Sequence, residues 1–377
     1  RRYPLSSYIK KRYKGRIDGL IVDELHEYNN DSGQGDAMAE LFGAAKKVIG
    51  MTATLINGYS SGIFHLLYRT SPQLMLADGK PHEKPALFNT EYGVVETVYT
   101  EGDDSYTANR RTQKGRSRTR QLPGVSPLVF SRFLLEKTAF LSLSDMGKAL
   151  PSYEEIPIAC RMEEVVQTEY KRIEDALVRV LRSDRRVAQK ILSAYLNLLT
   201  VYPDQPYDQK PILYPDSDIP IVKPESIGDA DCLGEKELRT LEIVKAAIQN
   251  GERALIYTSW VRIDSQQKLK KLLADEGYRT EILTDKIKTT DREDWVQKKL
   301  AAGMQVLIVN PSLVETGLDL NAFTTLVFYS MGYKLFTLRQ ASRRSWRINQ
   351  KAPAVKVYML YYEDTMQQKC LKLMASK

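Results

Sequence analysis

Ile17-Asp18-Gly19-Leu20-Ile21-Val22-Asp23-Glu24-Leu25-His26 is a short apolar run that stops on two adjacent carboxylates. Its first six residues are too few for an ordinary helix and read as a buried strand. Residues 34–45 follow with a helical pattern. A second apolar run, Lys47 to Met51, ends at Thr52-Ala53-Thr54, and residues 60–70 are helical again. This β-α-β-α order predicts an α/β fold with a mostly parallel sheet.

The alternation returns more clearly from residue 236. A helix over about 236–249 ends at Gly251, and Ala254–Tyr257 reads as a strand. A helix over about 263–275 ends at Gly277, before a strand at Glu281–Leu283. Thr290 and Glu293 have the spacing of a capping box for a helix ending at Gly303. Strands at 305–309, 325–329 and 355–361 complete a second parallel-sheet lobe.

The middle of the chain differs. Residues 76–127 lose the alternation and carry a basic run at 110–120, whose bland reading is a solvated, mobile loop. Residues 128–150 look helical up to Pro151, and a short strand is expected at 155–160. Residues 161–201 form a long amphipathic helical stretch. Six prolines between 202 and 224 suggest a stiff connector. The expected division is 1–90, 91–235 and 236–377: a first lobe, an insertion with helical protrusion and connector, and a second lobe.

Composition excludes several classes. Of 377 residues, 43% are hydrophobic, which is incompatible with a wholly disordered chain. No run approaches the roughly 18 apolar residues of a membrane span. Cys160, Cys232 and Cys370 are too few and too scattered for a disulfide framework or zinc knuckle. His26, His65 and His82 show no paired spacing for a metal cage. The net charge is +8, and residues 236–377 hold 24 Lys/Arg against 15 Asp/Glu. A basic second half suits a polyanion such as nucleic acid.

Asp23 and Glu24 stand just past a strand end, where open parallel sheets bind their ligands. An Asp there can hold Mg²⁺ through water, and the neighbouring Glu can orient or deprotonate an attacking water. Thr52 and Thr54 end the next strand, so their hydroxyls should reach the same sheet edge. In Gln340-Ala341-Ser342-Arg343-Arg344-Ser345-Trp346-Arg347-Ile348-Asn349-Gln350, Arg344 and Arg347 are spaced to share a helical face. Two guanidinium groups so placed can grip a triphosphate and stabilise charge in phosphoryl transfer. Gly317, in Glu315–Asn321, permits a tight turn.

The order and spacing of these segments resemble the superfamily 2 helicases, and within them the Swi/Snf-type ATPases. Asp23–His26 resembles the Walker B motif, Thr52–Thr54 the S/T-A-T motif, and Leu255–Trp260 the fourth motif. Thr316–Leu320 is similar to the fifth motif and Gln340–Gln350 to the sixth. Leu150-Pro151, then Tyr153 and a strand, resembles the segment after the Swi/Snf first lobe. The resemblance implies two RecA-like lobes closing on ATP and Mg²⁺, with DNA, double-stranded in this subfamily, across both. It implies that Asp23 coordinates Mg²⁺, Glu24 activates water, and Arg347 is the arginine finger with Arg344 and Gln340 beside it. His26, Thr52 and Thr54 would couple the nucleotide to lobe motion, and Thr316 and Gly317 would link DNA to the ATP site.

The sequence departs from the family pattern in places. It contains no G-x-x-x-x-G-K-[ST], and the chain begins Arg1-Arg2-Tyr3. The expectation is a piece of a longer protein, its first lobe truncated before the Walker B strand and the P-loop on the missing N-terminal segment. Val314-Glu315, Asp319 and Asn349 differ from the usual residues and mark a divergent relative. For DNA contacts the expected residues are Arg110, Arg111, Arg116 and Arg118 in the basic run, with Lys286 and Lys288 in the second lobe. Two other classes compete: a nucleic-acid-binding scaffold with a degenerate motor, and an RNA helicase. A cytoplasmic, nucleoid-associated location is expected in a bacterium and a nuclear one in a eukaryote. No membrane partner is expected, and further subunits are left open.

Overall fold

The computed structural model describes residues 3–53, 55–56, 58–100, 116–142, 145, 150–259, 265–314, 318–330, 332, 335–348 and 350–375. The chain forms two compact units, 1–141 and 142–377.

In the first unit, α1 (Leu5–Tyr13) leads into β1 (Ile17–Val22), and α2 (Gly33–Phe42) connects β1 to β2 (Ala45–Gly50). The two strands pair in parallel, from Ile17 opposite Ala45 to Val22 opposite Gly50. Ser32 caps α2 by accepting the Gly35 N–H at 3.2 Å. α3 (Ser60–Thr70), α4 (Pro72–Ala77) and α5 (Pro85–Tyr92) follow. Ile63, Phe64, Leu66 and Leu67 recur on one face of α3 and bury against Phe88 and Tyr92. β3 (Gly93–Thr100) and β4 (Arg116–Val125) pair antiparallel.

The described end of the basic run is therefore a strand rather than a loop. Arg118 and Arg120 alternate outward from β4, Arg120 pairs with Glu96 across the ladder, and Gln121 turns to Ser60. Ser117 to Arg120 are all exposed, so this stretch lacks the apolar alternation that a strand with one buried face shows. Residues 128–150 likewise do not form the expected helix. Among the described residues the helical part is confined to 128–134, of which Phe130–Leu134 is a π turn. Further on, Asp145 Oδ2 accepts both the backbone N–H and the hydroxyl of Ser142, at 2.7 and 2.6 Å. Such side-chain bonds offer the backbone an alternative to a helix.

The second unit is built on a six-stranded, all-parallel sheet. In chain order come β5 (Ser152–Cys160), α6 (Glu164–Ser183), α7 (Arg185–Val201), β6 (Ile212–Leu213), β7 (Pro220–Val222), α8 (Glu235–Gln249) and β8 (Ala254–Tyr257). Then come α9 (Ser265–Asp275), β9 (Thr280–Leu283), α10 (Arg292–Ala301), β10 (Val306–Val309), β11 (Thr325–Phe328), α11 (Leu335–Arg343), β12 (Ala354–Tyr362) and α12 (Met366–Ala375). The spatial order is β5-β12-β11-β8-β10-β9, a RecA-like α/β arrangement. β8, β10 and β11 are buried at every residue, as strands covered on both faces must be. β5, expected within the segment between lobes, pairs with β12 over nine residues and so forms an edge of this sheet.

The helical stretch 161–201 is two antiparallel helices, with Asp184 between them capping α7. The proline-rich segment contains the small hairpin β6–β7. The capping box expected at Thr290 does not form. Thr290 Oγ1 donates to Asp291 Oδ1 at 2.7 Å, and Asp291 takes the N-cap position of α10. No helix among the described residues is long and apolar enough to cross a membrane.

Candidate functional site

Two clusters of the expected site residues are described, one in each unit. In the first, β1 delivers Asp23 and Glu24 to its carboxyl end, and β2 delivers Thr52 beside them. The Val22 carbonyl accepts the Met51 N–H at 2.8 Å, and the Met51 carbonyl accepts the Leu25 N–H at 2.9 Å. These bonds extend the pairing past both strands and bring the two turns together. Glu24 adopts the left-handed conformation with φ 48°. For a residue other than glycine this costs about 1–2 kcal/mol, a strain that clusters at functional sites. A Cβ at Gly50 would lie 2.5 Å from Leu25 Cδ2, so any larger residue there would have to displace that buried side chain.

His26 is half-buried, and its Nδ1 lies 2.9 Å from Thr52 Oγ1 and 3.3 Å from Glu24 Oε2. One ring nitrogen thus meets both the acidic turn and the hydroxyl turn. Asp23 is exposed and accepts the Glu24 N–H on Oδ1 at 2.9 Å. A lone exposed carboxylate at a strand end suits Mg²⁺ held through water, because that ion keeps most of its waters and takes few protein ligands. Asp23 fits a Mg²⁺ held through water, but the residues of this turn include no phosphate cradle for a nucleotide. Thr54 lies outside the described residues.

In the second unit, the segment 340–350 is not the continuous helix assumed for it. α11 ends at Arg343, so Arg344 and Arg347 sit on a turn and a bend and share no helical face. Distant side chains pull the backbone out of the helix. Buried Tyr257, on β8, donates its hydroxyl to the Ala341 carbonyl at 2.9 Å. Trp346 Nε1 donates to the Pro151 carbonyl at 2.8 Å, and its ring lies 4.9 Å from that of Tyr153. Tyr153 donates to Ser342 Oγ at 3.0 Å, and burial pushes its phenol up to about 12. Burial likewise raises the Tyr257 phenol, so both hydroxyls remain donors at neutral pH.

The same segment is fastened to residues 318–321. Ser345 Oγ donates to the Leu320 carbonyl at 3.1 Å, and Gln350 Nε2 to that of Asn321 at 2.9 Å. Arg347 Nη2 reaches the Leu318 carbonyl at 3.5 Å. The fifth and sixth motif segments are therefore one mechanically connected unit. Arg344, Arg347 and Gln340 are each half-buried. Thr316 and Gly317 lie outside the described residues.

The expected nucleic-acid residues are dispersed. Arg118 is exposed on β4, Arg116 opens that strand, and Arg110 and Arg111 lie outside the described residues. Lys286 and Lys288 are exposed in the turn after β9.

Sequence reasoning missed the polar rim where the strand order reverses around β8. The Ser259 N–H donates to Ser330 Oγ at 2.7 Å, and Asn310 Nδ2 donates to the Ser259 carbonyl at 3.3 Å. Each of these residues stands just past an apolar strand, a position that could have singled them out. It also missed Tyr257, Tyr153 and Trp346 as anchors of the arginine segment. Tyr257→Phe would remove one of two bonds to the Ala341 carbonyl, which keeps the Arg344 N–H at 3.2 Å, so we expect a loss of about 0.5–1.5 kcal/mol in chemical unfolding of this unit.

Comparison with known proteins bears on the second unit. Residues 236–349 match the family model of the helicase conserved C-terminal domain. No curated protein matches the chain. Among solved structures, the C-terminal part of the Fun30 ATPase domain matches at 15% identity and TM-score 0.44, covering 60% of this chain and 90% of that one. The Sulfolobus solfataricus SWI2/SNF2 ATPase core in complex with dsDNA matches at 16% identity and TM-score 0.45, covering 99% and 70%. The C-terminal domain of the same S. solfataricus ATPase matches at 18% identity and TM-score 0.43, covering 59% and 86%.

The matched segment, residues 236–349, lies within the second unit. The fourth, fifth and sixth motif segments read from the sequence fall within this match, up to residue 349.

Proposed function

We propose that the chain belongs to an ATP-driven DNA translocase of the Swi/Snf type, a motor that moves along duplex DNA. The observation that carries this reading is the convergence of Glu24 and Thr52 on His26 at the carboxyl edge of β1 and β2. Such a contact links a water-activating carboxylate to a neighbouring strand end, as a motor must to convert hydrolysis into movement. The helicase C-terminal domain supports it from the other unit, because its fastened 340–350 segment carries two arginines of the kind that stabilise phosphoryl transfer.

In this reading Asp23 would hold Mg²⁺ through water and Glu24 would orient the attacking water. Arg347 and Arg344 would supply the guanidinium groups that stabilise phosphate charge, with Gln340 assisting them. Bound ATP with Mg²⁺ supplies the transferable phosphoryl group. The DNA contacts fall on phosphates, because a motor must pass over any sequence. The 377-residue chain has no G-x-x-x-x-G-K-[ST] and so lacks that phosphate cradle. By itself it is expected to hydrolyse ATP negligibly, and robust turnover by the purified chain would contradict this.

The test is displacement of a third strand from a DNA triplex by the full-length gene product. ATP-dependent displacement without separation of the underlying duplex supports translocation. Strand separation would assign a helicase, and action on RNA alone an RNA helicase. Binding with no ATP-dependent event would favour the scaffold reading.

A further inference from the structure

α6 and α7 form a helical arm of the second unit, held firmly at one end. Asp204, just past α7, accepts from Lys236 Nζ at 2.7 Å, and both side chains are buried. Lys236 also donates to Gln367 at 3.2 Å and lies over the rings of Tyr329 and Tyr362, at 4.8 and 5.4 Å. On α6, the Tyr170 hydroxyl accepts the Met366 N–H at 2.8 Å, and Glu174 pairs with Lys369 at 2.8 Å. These contacts join the base of the arm to α8, β12 and α12. Beyond Glu174, α6 continues for nine residues, roughly 14 Å at the helical rise of about 1.5 Å per residue. There the arm packs on itself through Leu177, Val180, Ala188 and Ile191.

The free end is arginine-rich. Arg179 and Arg182 near the end of α6, and Arg186 in the first turn of α7, are all exposed. None forms an ion pair among the described residues. The nearby acids are otherwise engaged or few. Asp184 Oδ1 accepts the N–H groups of Arg186 and Val187 at 2.9 and 3.0 Å, and Asp216 pairs with Lys190 at 3.3 Å. Asp175 is exposed on α6. Like charges three residues apart on a helix repel. A packed arm that keeps such a cluster without ion-pair partners among the described residues is suited to an external polyanion.

We propose that the tip of the α6–α7 arm is a DNA contact, in which Arg179, Arg182 and Arg186 take phosphates of a duplex backbone. This rests on the reading of the chain as a DNA motor, but on residues outside its motifs. Guanidinium groups suit phosphate because they donate in a planar fork.

The test is equilibrium binding of a fluorescent DNA duplex to the full chain, titrated across salt. The wild type is compared with an R179A/R182A/R186A variant and with the matching triple Arg→Lys variant. Each lost phosphate contact lowers the slope of log K against log salt by about 0.9. The alanine variant is therefore expected to lose a slope of about 2–3, and the lysine variant to keep most of it. An unchanged slope in the alanine variant, with the wild type still binding, would overturn the arm contact and leave the motor reading standing. A loss confined to duplex RNA would also overturn it. If the wild type bound no nucleic acid, both would fall.

Discussion

Lys236→Met will strongly destabilise the second unit. Lys236 is fully buried, and its ammonium is held by Asp204 and Gln367 between two tyrosine rings. Methionine preserves the stem and removes the charge, which leaves the Asp204 carboxylate buried without its cation. Breaking one side of a buried pair costs about 3–5 kcal/mol. For a unit of this size, that lowers the melting temperature by roughly 6–20 °C. Burial already pushes the Asp204 carboxyl up, against the pull of Lys236. Removing the lysine leaves burial and the nearby Glu237 charge opposed by the Gln367 hydrogen bond alone. Pairing it with Asp204→Leu should recover most of the loss, because an apolar pair avoids desolvating two charges. Thermal unfolding of the single and double variants checks both statements. A single variant as stable as the wild type would show that the pair does not clamp the arm.

The second large effect concerns catalysis in the full-length gene product. Arg347→Ala should lower DNA-stimulated ATP turnover by about 10³–10⁵, the contribution of an arginine that stabilises transferred phosphate. Arg347 is half-buried and reaches the Leu318 carbonyl at 3.5 Å, so it is positioned by the fifth-motif segment rather than by a helix. Glu24→Gln keeps the side-chain shape and removes the base, so turnover should fall while nucleotide binding persists. Comparing nucleotide affinity with turnover separates these roles. If Arg347→Ala turned over like the wild type, the finger would belong to Arg344 or to another chain.

The strands of the second sheet were legible because burial on both faces leaves no polar alternation: Ala254–Tyr257 and Val306–Val309 are continuous apolar runs. The acidic turn at Asp23 was legible because it ends an apolar run, although β1 is not the buried strand expected: Asp18, Gly19 and Ile21 are exposed and only Val22 is buried. What escaped depends on residues far apart in the chain. Tyr257 and Ala341 are 84 positions apart, and Pro151 and Trp346 are 195, yet these contacts take Arg344 out of the helix. Lys236 lies between two glutamates at the start of a helix, a pattern that reads as a solvated face until Asp204 and the tyrosines close over it. The arginine-rich part of β4 does not read as a strand because Ser117 to Arg120 are exposed on both faces.

The most direct test of the motor is ATP turnover by the full-length gene product without nucleic acid and with duplex DNA, single-stranded DNA or RNA. Strong stimulation by duplex DNA, abolished by Glu24→Gln, is the predicted result. No turnover under any of these conditions, or stimulation by RNA alone, would contradict a DNA translocase.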